Sequence, residues 1–221
     1  MTNTTFGANV MTRPRRVRSD SQRTQAKLIA VAEGLFAERG IEGVSLSEIN
    51  RAAEQGNNSA LHYHFGSKDG LIAAIWEKHA ERLSGPLRES LDTIPEAPSP
   101  RDVVAHMVRP LSTRLDDPEG GSAFLRIMAQ AHANPTEHLF QSVVREAAPG
   151  WEPFRDLLRS ATPSMDDDAR RRRIELLSSA IFMGLSSIAR REAAEPSQAE
   201  HRAQYIEELI SSLSGLLTAA P

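Results

Sequence analysis

The chain has 221 residues, 40% hydrophobic and 25% charged, with no cysteine and a net charge of −3. That is ordinary composition for a folded globular protein and is long enough to bury a sizeable core. It excludes disulfides, iron–sulfur clusters and thiolate zinc sites, and the small net negative charge argues against a general polyanion binder. The longest purely apolar run, Leu71 to Trp76, is far below the ~18 residues of a membrane span. No apolar stretch follows the N-terminal arginines as in a signal peptide, so a cytoplasmic location is expected.

Charge is distributed unevenly. Residues 1–70 carry +2 and the remainder −5. Arg13, Arg15, Arg16, Arg18 and Arg23 crowd into one segment whose only acid is Asp20. A basic segment on an acidic protein points to phosphates, its plain alternative being a solvated tail. Residues 1–20 are polar and unperiodic and are expected to form a flexible arm.

From Ser21 the pattern is helical, with Leu28, Ala32, Leu35 and Phe36 on one face and Gly40 as the stop. Ser45 and Glu48 stand at capping-box spacing, flanked by Val44 and Ile49 at the positions of a hydrophobic staple. This second helix is short, because Gly56-Asn57-Asn58 interrupts it. A further short helix is expected over 57–64. Ser67 then caps a helix carrying Leu71, Ile72, Ile75 and Trp76 that Gly85-Pro86 kinks or ends.

Beyond the proline-rich "IPEAPSP" connector, helical patterns occupy roughly 101–115, 120–133, 136–147 and 151–161. Two long helices follow, separated by Pro196. No alternating strand, repeat or glycine-rich nucleotide loop is found, so the fold expected is all-α.

Three short helices, the last two joined by a glycine-containing turn, make a helix-turn-helix. Leu61 and Phe65, one turn apart, are expected to face a small core of Leu35, Phe36, Val44 and Ile49. Asn57, Asn58, Ser59, Ala60, His62 and Tyr63 occupy the other sides. Short hydrogen-bonding side chains with one small apolar residue suit base edges and thymine methyls, and the first turn of such a helix favours Asn58, Ser59 and Ala60 as base readers. Lys68 and the arginines, with Ser45, are the expected companions at the DNA surface, Lys68 holding a phosphate near a helix N-terminus.

The stretches "LIAVAEGLFAERGIEGVSLSEINRAA" and "LHYHFGSKDGLIAAIW", in their order from Thr24 to Trp76, resemble the DNA-binding domain of the TetR family of transcriptional regulators. The resemblance covers about a quarter of the chain. It departs from the family in two places. Glu54 stands where the family usually has glycine, in a turn one residue longer. His62 holds the place of the family's phosphate-contacting tyrosine, with Tyr63 next.

What the resemblance implies is a domain order of 1–20 arm, 21–66 helix-turn-helix and 67–221 effector-binding and dimerisation domain. It also implies a homodimeric repressor on double-stranded DNA, released by a small hydrophobic effector and needing no cofactor. Its last two helices would pair with their copies through Ile174, Leu177, Ile181, Leu185 and Ile188 and through Ile206, Leu209, Leu213 and Leu216. The stripe from Ile174 is interleaved with Ser178, Gly184 and Ser187, which permit close helix approach; its alternative is intrachain core. The expected effector pocket comprises His106, Met107, Phe124, Met128, His132, Trp151, Phe154 and Phe182, with Phe140, Arg109 and Arg126 nearby; filling of a core is again the alternative.

Other chemistries fare worse. His62 and His64 diverge at i, i+2 and have no acidic or histidine partner at i+4, so no metal site is expected. No nucleophile-elbow pattern accompanies Ser59 or Ser67, and no catalytic residues are assigned. "DDDARRRR" (166–173) is charge placed to suit a helix start and lacks the glycine-containing loop of a calcium site. Two rival functions remain: a helical adaptor that has lost DNA reading, and a small helical enzyme on a hydrophobic substrate.

Overall fold

Helix α1 (Arg15–Arg39) lays Leu28, Ala32 and Phe36 inward and ends at Gly40, which takes φ +85 and donates its N–H to Phe36 O at 3.0 Å. In this computed structural model, residues 15–54, 60–133 and 151–218 are described. The helix begins at Arg15, six residues before the expected Ser21. Arginine is a good helix former but contributes nothing to an apolar stripe, so hydrophobic periodicity does not register the first turns.

The turn after α1 leads into α2 (Leu46–Ala52), opened by the Ser45–Glu48 capping box. Val44 and Ile49 are both buried beneath it, as a staple requires. Helix α3 is Ala60–Phe65; positions 57–59 of the expected 57–64 segment lie outside the described residues. Gly66, at φ +71, turns the chain into α4 (Lys68–Asp92), and Ser67 Oγ accepts from Gly70 N at 3.1 Å.

Helix α4 does not end at Gly85-Pro86 but passes through it for 25 residues in all. A proline ring clashes with the Cβ of the residue before it, and Gly85 has none.

Helix α5 (Pro100–Ser112) starts with a Ser99–Asp102 capping box and passes into a 3₁₀ turn, Thr113–Asp116, shorter than the expected 101–115. Next come α6 (Gly121–Ala133), α7 (Trp151–Ala161), α8 (Asp167–Ala194), a 3₁₀ turn Pro196–His201, and α9 (Arg202–Thr218). The expected 136–147 helix lies outside the described residues. Among the described residues there is no strand, and no helix is long and apolar enough to cross a membrane.

Helix α6 is the central element, packed on α8, on α1 and on α4, while α9 lies against α5 and α8. Phe124 sits at the middle. The His79 ring stacks on it at 4.4 Å, Trp76 packs at 5.8 Å, and Phe182 meets it edge-on at 6.2 Å. Arg202 forms a two-pronged bridge to Glu192, at 2.7 and 2.6 Å, across the α8–α9 corner.

The stripe expected to form a dimer interface is corrected here. Leu177, Ile181, Leu185 and Ile188 are buried by their own chain, as is Leu213. Helix α6 packs over the α8 residues, and Leu213 belongs to α9, which lies against α5 and α8, so all five are core and unavailable to a partner. Ile174, Ile206, Leu209 and Leu216 are half-buried at its margin. Apolar periodicity identifies the buried face of α8 but cannot tell a partner helix from α6.

Candidate nucleic-acid interface

The short helices α2 and α3 are set by local chemistry. Ser45 Oγ accepts from Glu48 N at 3.2 Å, while Glu48 Oε2 accepts from Ser45 N at 3.0 Å and from Ser45 Oγ at 3.1 Å. Arg39 adds a 3.0 Å ion pair to the same carboxylate. The Ser45 backbone N–H, then the Arg39 guanidinium and the Ser45 hydroxyl, hold the Glu48 carboxyl down at about 2. Ser45, expected at the DNA surface, thus has its hydroxyl occupied in the cap.

Between α2 and α3 the backbone takes an uncommon shape. Glu54 has φ +54, the only positive φ outside glycine among the described residues. The residue that departs from the family's usual glycine thus itself takes a left-handed conformation. L side chains resist that conformation. The Glu54 carboxylate meets Lys27 of α1 at 2.9 Å, and the pair, with Lys27 as hydrogen-bond donor and nearby charge, lowers the carboxyl below its usual range.

Helix α3 buries Leu61 and half-buries Phe65, and turns His62 and Tyr63 outward. Tyr63 is 71% exposed, the most exposed large hydrophobic side chain described. Its ring rests edge-on against His64, with centroids 5.1 Å apart. His64 in turn packs beside Phe65 at 6.0 Å. Ala60 is half-buried at the start of the helix.

The expected readers Asn57, Asn58 and Ser59 lie outside the described residues, as does Arg13. The backbone of Arg15, Arg16 and Arg18 is helical, with their side chains outside the described set. Arg23 is exposed on the same helix.

Lys68 makes a tie within the chain. Its ammonium donates to Ile41 O at 2.9 Å, tying the start of α4 to the α1–α2 turn. The Ile41 carbonyl, in the turn after α1, lies within reach of this ammonium in the folded chain.

Four polar residues that the sequence reading missed join this head to the core. Gln130 of α6 uses both ends of its amide: Oε1 accepts from Ile41 N at 2.9 Å and Nε2 donates to Phe36 O at 3.2 Å. One side chain thereby clasps the end of α1. Deeper in, Glu33 of α1 is 3% exposed and accepts from His79 Nε2 at 2.8 Å and from Lys78 Nζ at 2.7 Å. Lys78 also donates to Glu119 O at 2.7 Å.

Gly120, at φ +98, closes this junction; a Cβ there would come within 2.6 Å of Glu33 Oε2. A signal for two of these residues was present: Glu33 and His79 are polar residues inside the apolar stripes of α1 and α4. Gln130 and Lys78 carry no such mark.

The expected effector residues divide. Phe124, Met128, His132, Phe154 and Phe182 are buried in the core, where His132 packs on Phe182 at 4.8 Å. Met107 is half-buried against it, and the Trp151 side chain lies outside the described set, as does Phe140.

His106 belongs elsewhere. Its Nδ1 is 2.8 Å from Ser90 Oγ, and with Arg109 it lines a cleft of about 350 Å³ between α4 and α5 that none of the expected aromatic or methionine side chains lines. Burial pushes its imidazole below the usual range. Burial does the same for His132, against the opposing hydrogen bond to Met128 O. Among the described residues no three His, Asp or Glu side chains converge as a metal site.

Comparison with known proteins agrees with this geometry. Residues 28–75 match the family described as bacterial regulatory proteins, tetR family, and residues 105–215 match the tetracyclin repressor-like C-terminal domain. The HTH-type transcriptional regulator AcrR of Shigella flexneri is 35% identical over 63 residues, covering 28% of this chain and 29% of that protein. UidR of Escherichia coli K12, also an HTH-type transcriptional regulator, is 27% identical over 120 residues, covering 54% of this chain and 57% of its own length. The chain thus spans between about a third and just over half of the curated relatives it matches.

Among solved structures, a TetR-family transcriptional regulator from Pectobacterium atrosepticum is 24% identical, with 95% of this chain and 100% of that one aligned at a TM-score of 0.41. With both matches in place, the C-terminal one spanning half the sequence, the chain belongs to the TetR family of bacterial regulators.

Proposed function

We propose that the protein is a sequence-specific DNA-binding transcriptional regulator, a homodimeric repressor released by a small-molecule effector. The observation that carries this is the outward face of α3. Tyr63 keeps 71% of its surface in water beside an exposed His62, while Leu61 of the same helix is buried. A helix that anchors one side and offers a large aromatic ring on the other is suited to a partner surface. A tyrosine there contacts the sugar-phosphate backbone while Asn57, Asn58 and Ser59, which directly precede α3, read base edges. The arginines from Arg13 to Arg23 add phosphate contacts.

Two head groups bind successive half-sites, which requires a dimer. In place of the buried α8 stripe, the dimer face we propose is the outer surface of α8 and α9, around Leu176, which is 60% exposed, with Leu209 and Leu216 beside it. These helices lie close together at Gly184, where a Cβ would meet Leu209 Cδ1 at 2.7 Å. The layer is thin enough to pair with a copy of itself.

Effector release follows from α4, a single helix that runs from the head to the α4–α5 cleft and can pass a displacement between them. Fluorescence anisotropy on DNA from immediately upstream of the coding region, beside a scrambled duplex, tests the reading. Tight binding that prefers the upstream DNA and weakens steeply with salt is expected. Equal, weak binding to both duplexes, followed by an unenriched random-library selection, removes it.

A further inference from the structure

Most arginines in the core-facing layers meet a carboxylate: Arg82 and Arg114 share Asp117, and Arg202 holds Glu192. Arg126 of α6 and Arg190 of α8 are different. Among the described residues neither has an ion pair or a hydrogen bond, yet both line one groove of about 310 Å³ where the end of α1 meets α6 and α8. Two guanidiniums facing one concave surface without an acid between them make a place for an anion.

A second observation is independent of charge. Ser186 lines the same groove and is only 2% exposed. Ser179 and Ser214, also in helices, donate to the carbonyl four residues earlier. Ser186 makes no hydrogen bond among the described residues, so its hydroxyl is available to a ligand. The remaining walls are apolar, with Ala129 on α6 and Met183 on α8, the latter 46% exposed. Glu38, at the end of α1, is the one acid at the rim. Against the two arginines it leaves a single positive charge, matched to a monoanion.

We propose that this groove binds a small amphipathic monocarboxylate. Its carboxylate lies between Arg126 and Arg190 and accepts from Ser186, and its hydrocarbon part covers Ala129 and Met183. The volume stands at the lower end of the ~300–1,000 Å³ of ligand pockets, so the ligand is small. Gln130 is part of the same wall, and its amide clasps Phe36 O and Ile41 N at the end of α1. A bound ligand therefore presses on the side chain that fixes the head against α6. On the regulator reading given above, occupancy loosens the head and lowers DNA affinity.

Titration calorimetry with octanoate, and with octanol as the uncharged control, tests the site without DNA. Octanoate binds saturably, one per chain, and each of Arg126→Gln and Arg190→Gln weakens it about tenfold, the worth of a hydrogen bond to a charged group. Octanol binds more weakly than octanoate, and the Met183 methyl resonance shifts at lower octanoate than octanol concentrations. Unfolding curves of Arg190→Gln, a surface change, match those of the parent and show that the variant is folded. No saturable octanoate binding, equal binding of octanol, or binding indifferent to both arginines overturns the site, including the case in which a second copy fills the groove.

Coupling is read separately, as octanoate-driven release of bound DNA that Gln130→Leu abolishes. Octanoate that binds without changing DNA affinity overturns the coupling. A protein that binds octanoate but no DNA keeps the site and loses the regulator reading.

Discussion

The helix-turn-helix head and the α1–α6 joint are both held by polar side chains, but in opposite ways. In the head the ties are exposed to water, and the caps are local. Ser45 and Glu48 cap one helix from within it, Ser67 caps another, and Lys27 meets Glu54 at the surface. In the joint the ties are buried and span the chain. Glu33 reaches His79 and Lys78, and Gln130 reaches back to Phe36 and Ile41. An exposed tie is replaced by water when lost, whereas a buried one leaves its partner stranded. The head is thus tolerant in its individual contacts, and the joint holds the head in one orientation.

The sharpest test of that contrast is Glu33→Ala. It strands His79 in the interior, takes from Lys78 one of its two partners, and is expected to cost about 3 kcal/mol, as for other broken buried pairs. Removal of the exposed cap by Ser45→Ala costs about 1 kcal/mol. Urea unfolding of both variants measures the difference, and equal losses would erase the distinction between the two regions.

A smaller effect tests the strained turn. Glycine tolerates the φ of +54 at position 54 and alanine does not, so Glu54→Gly should be more stable than Glu54→Ala by about 1 kcal/mol. The reverse order would mean that the turn relaxes to an ordinary conformation.

Smallest is the pH response of His106. Burial lowers its pKa in the folded state below the usual 6.5. The unfolded chain therefore takes up the proton first as pH falls, and stability declines with falling pH from about 6.5. His106→Gln should flatten part of that decline in urea midpoints measured between neutral and mildly acidic pH. An unchanged slope would show that other groups account for all of it.

The same contrast explains what the sequence made legible. The head was readable because its determinants lie within a few residues of each other: the Ser45–Glu48 spacing, the Val44–Ile49 staple, the serine at 67. Glu54 is marked in the sequence as a departure, and the structure gives it a positive φ, a shape glycine adopts most readily.

The long-range ties were not readable, because no local pattern pairs Gln130 with residues ninety positions earlier. Lys68 shows the same limit. Its place near a helix N-terminus suggested a phosphate, and folding brings close a carbonyl, Ile41 O, that accepts its hydrogen bond and that no local pattern announces. In α8 the apolar stripe was read correctly as a contact face and assigned to the wrong neighbour, since periodicity carries no information about which surface covers it.

The most direct test is the ratio of affinities for a selected operator and a scrambled duplex, measured by anisotropy for the parent, Asn58→Ala and Tyr63→Ala. The account predicts a large ratio for the parent. Asn58→Ala should shrink it by about tenfold, the worth of a base-edge contact. Tyr63→Ala should weaken both duplexes alike and leave the ratio intact, as a backbone contact must. A parent ratio near one, or a ratio indifferent to Asn58, would contradict the assignment of α3 and the residues before it as the DNA-reading element.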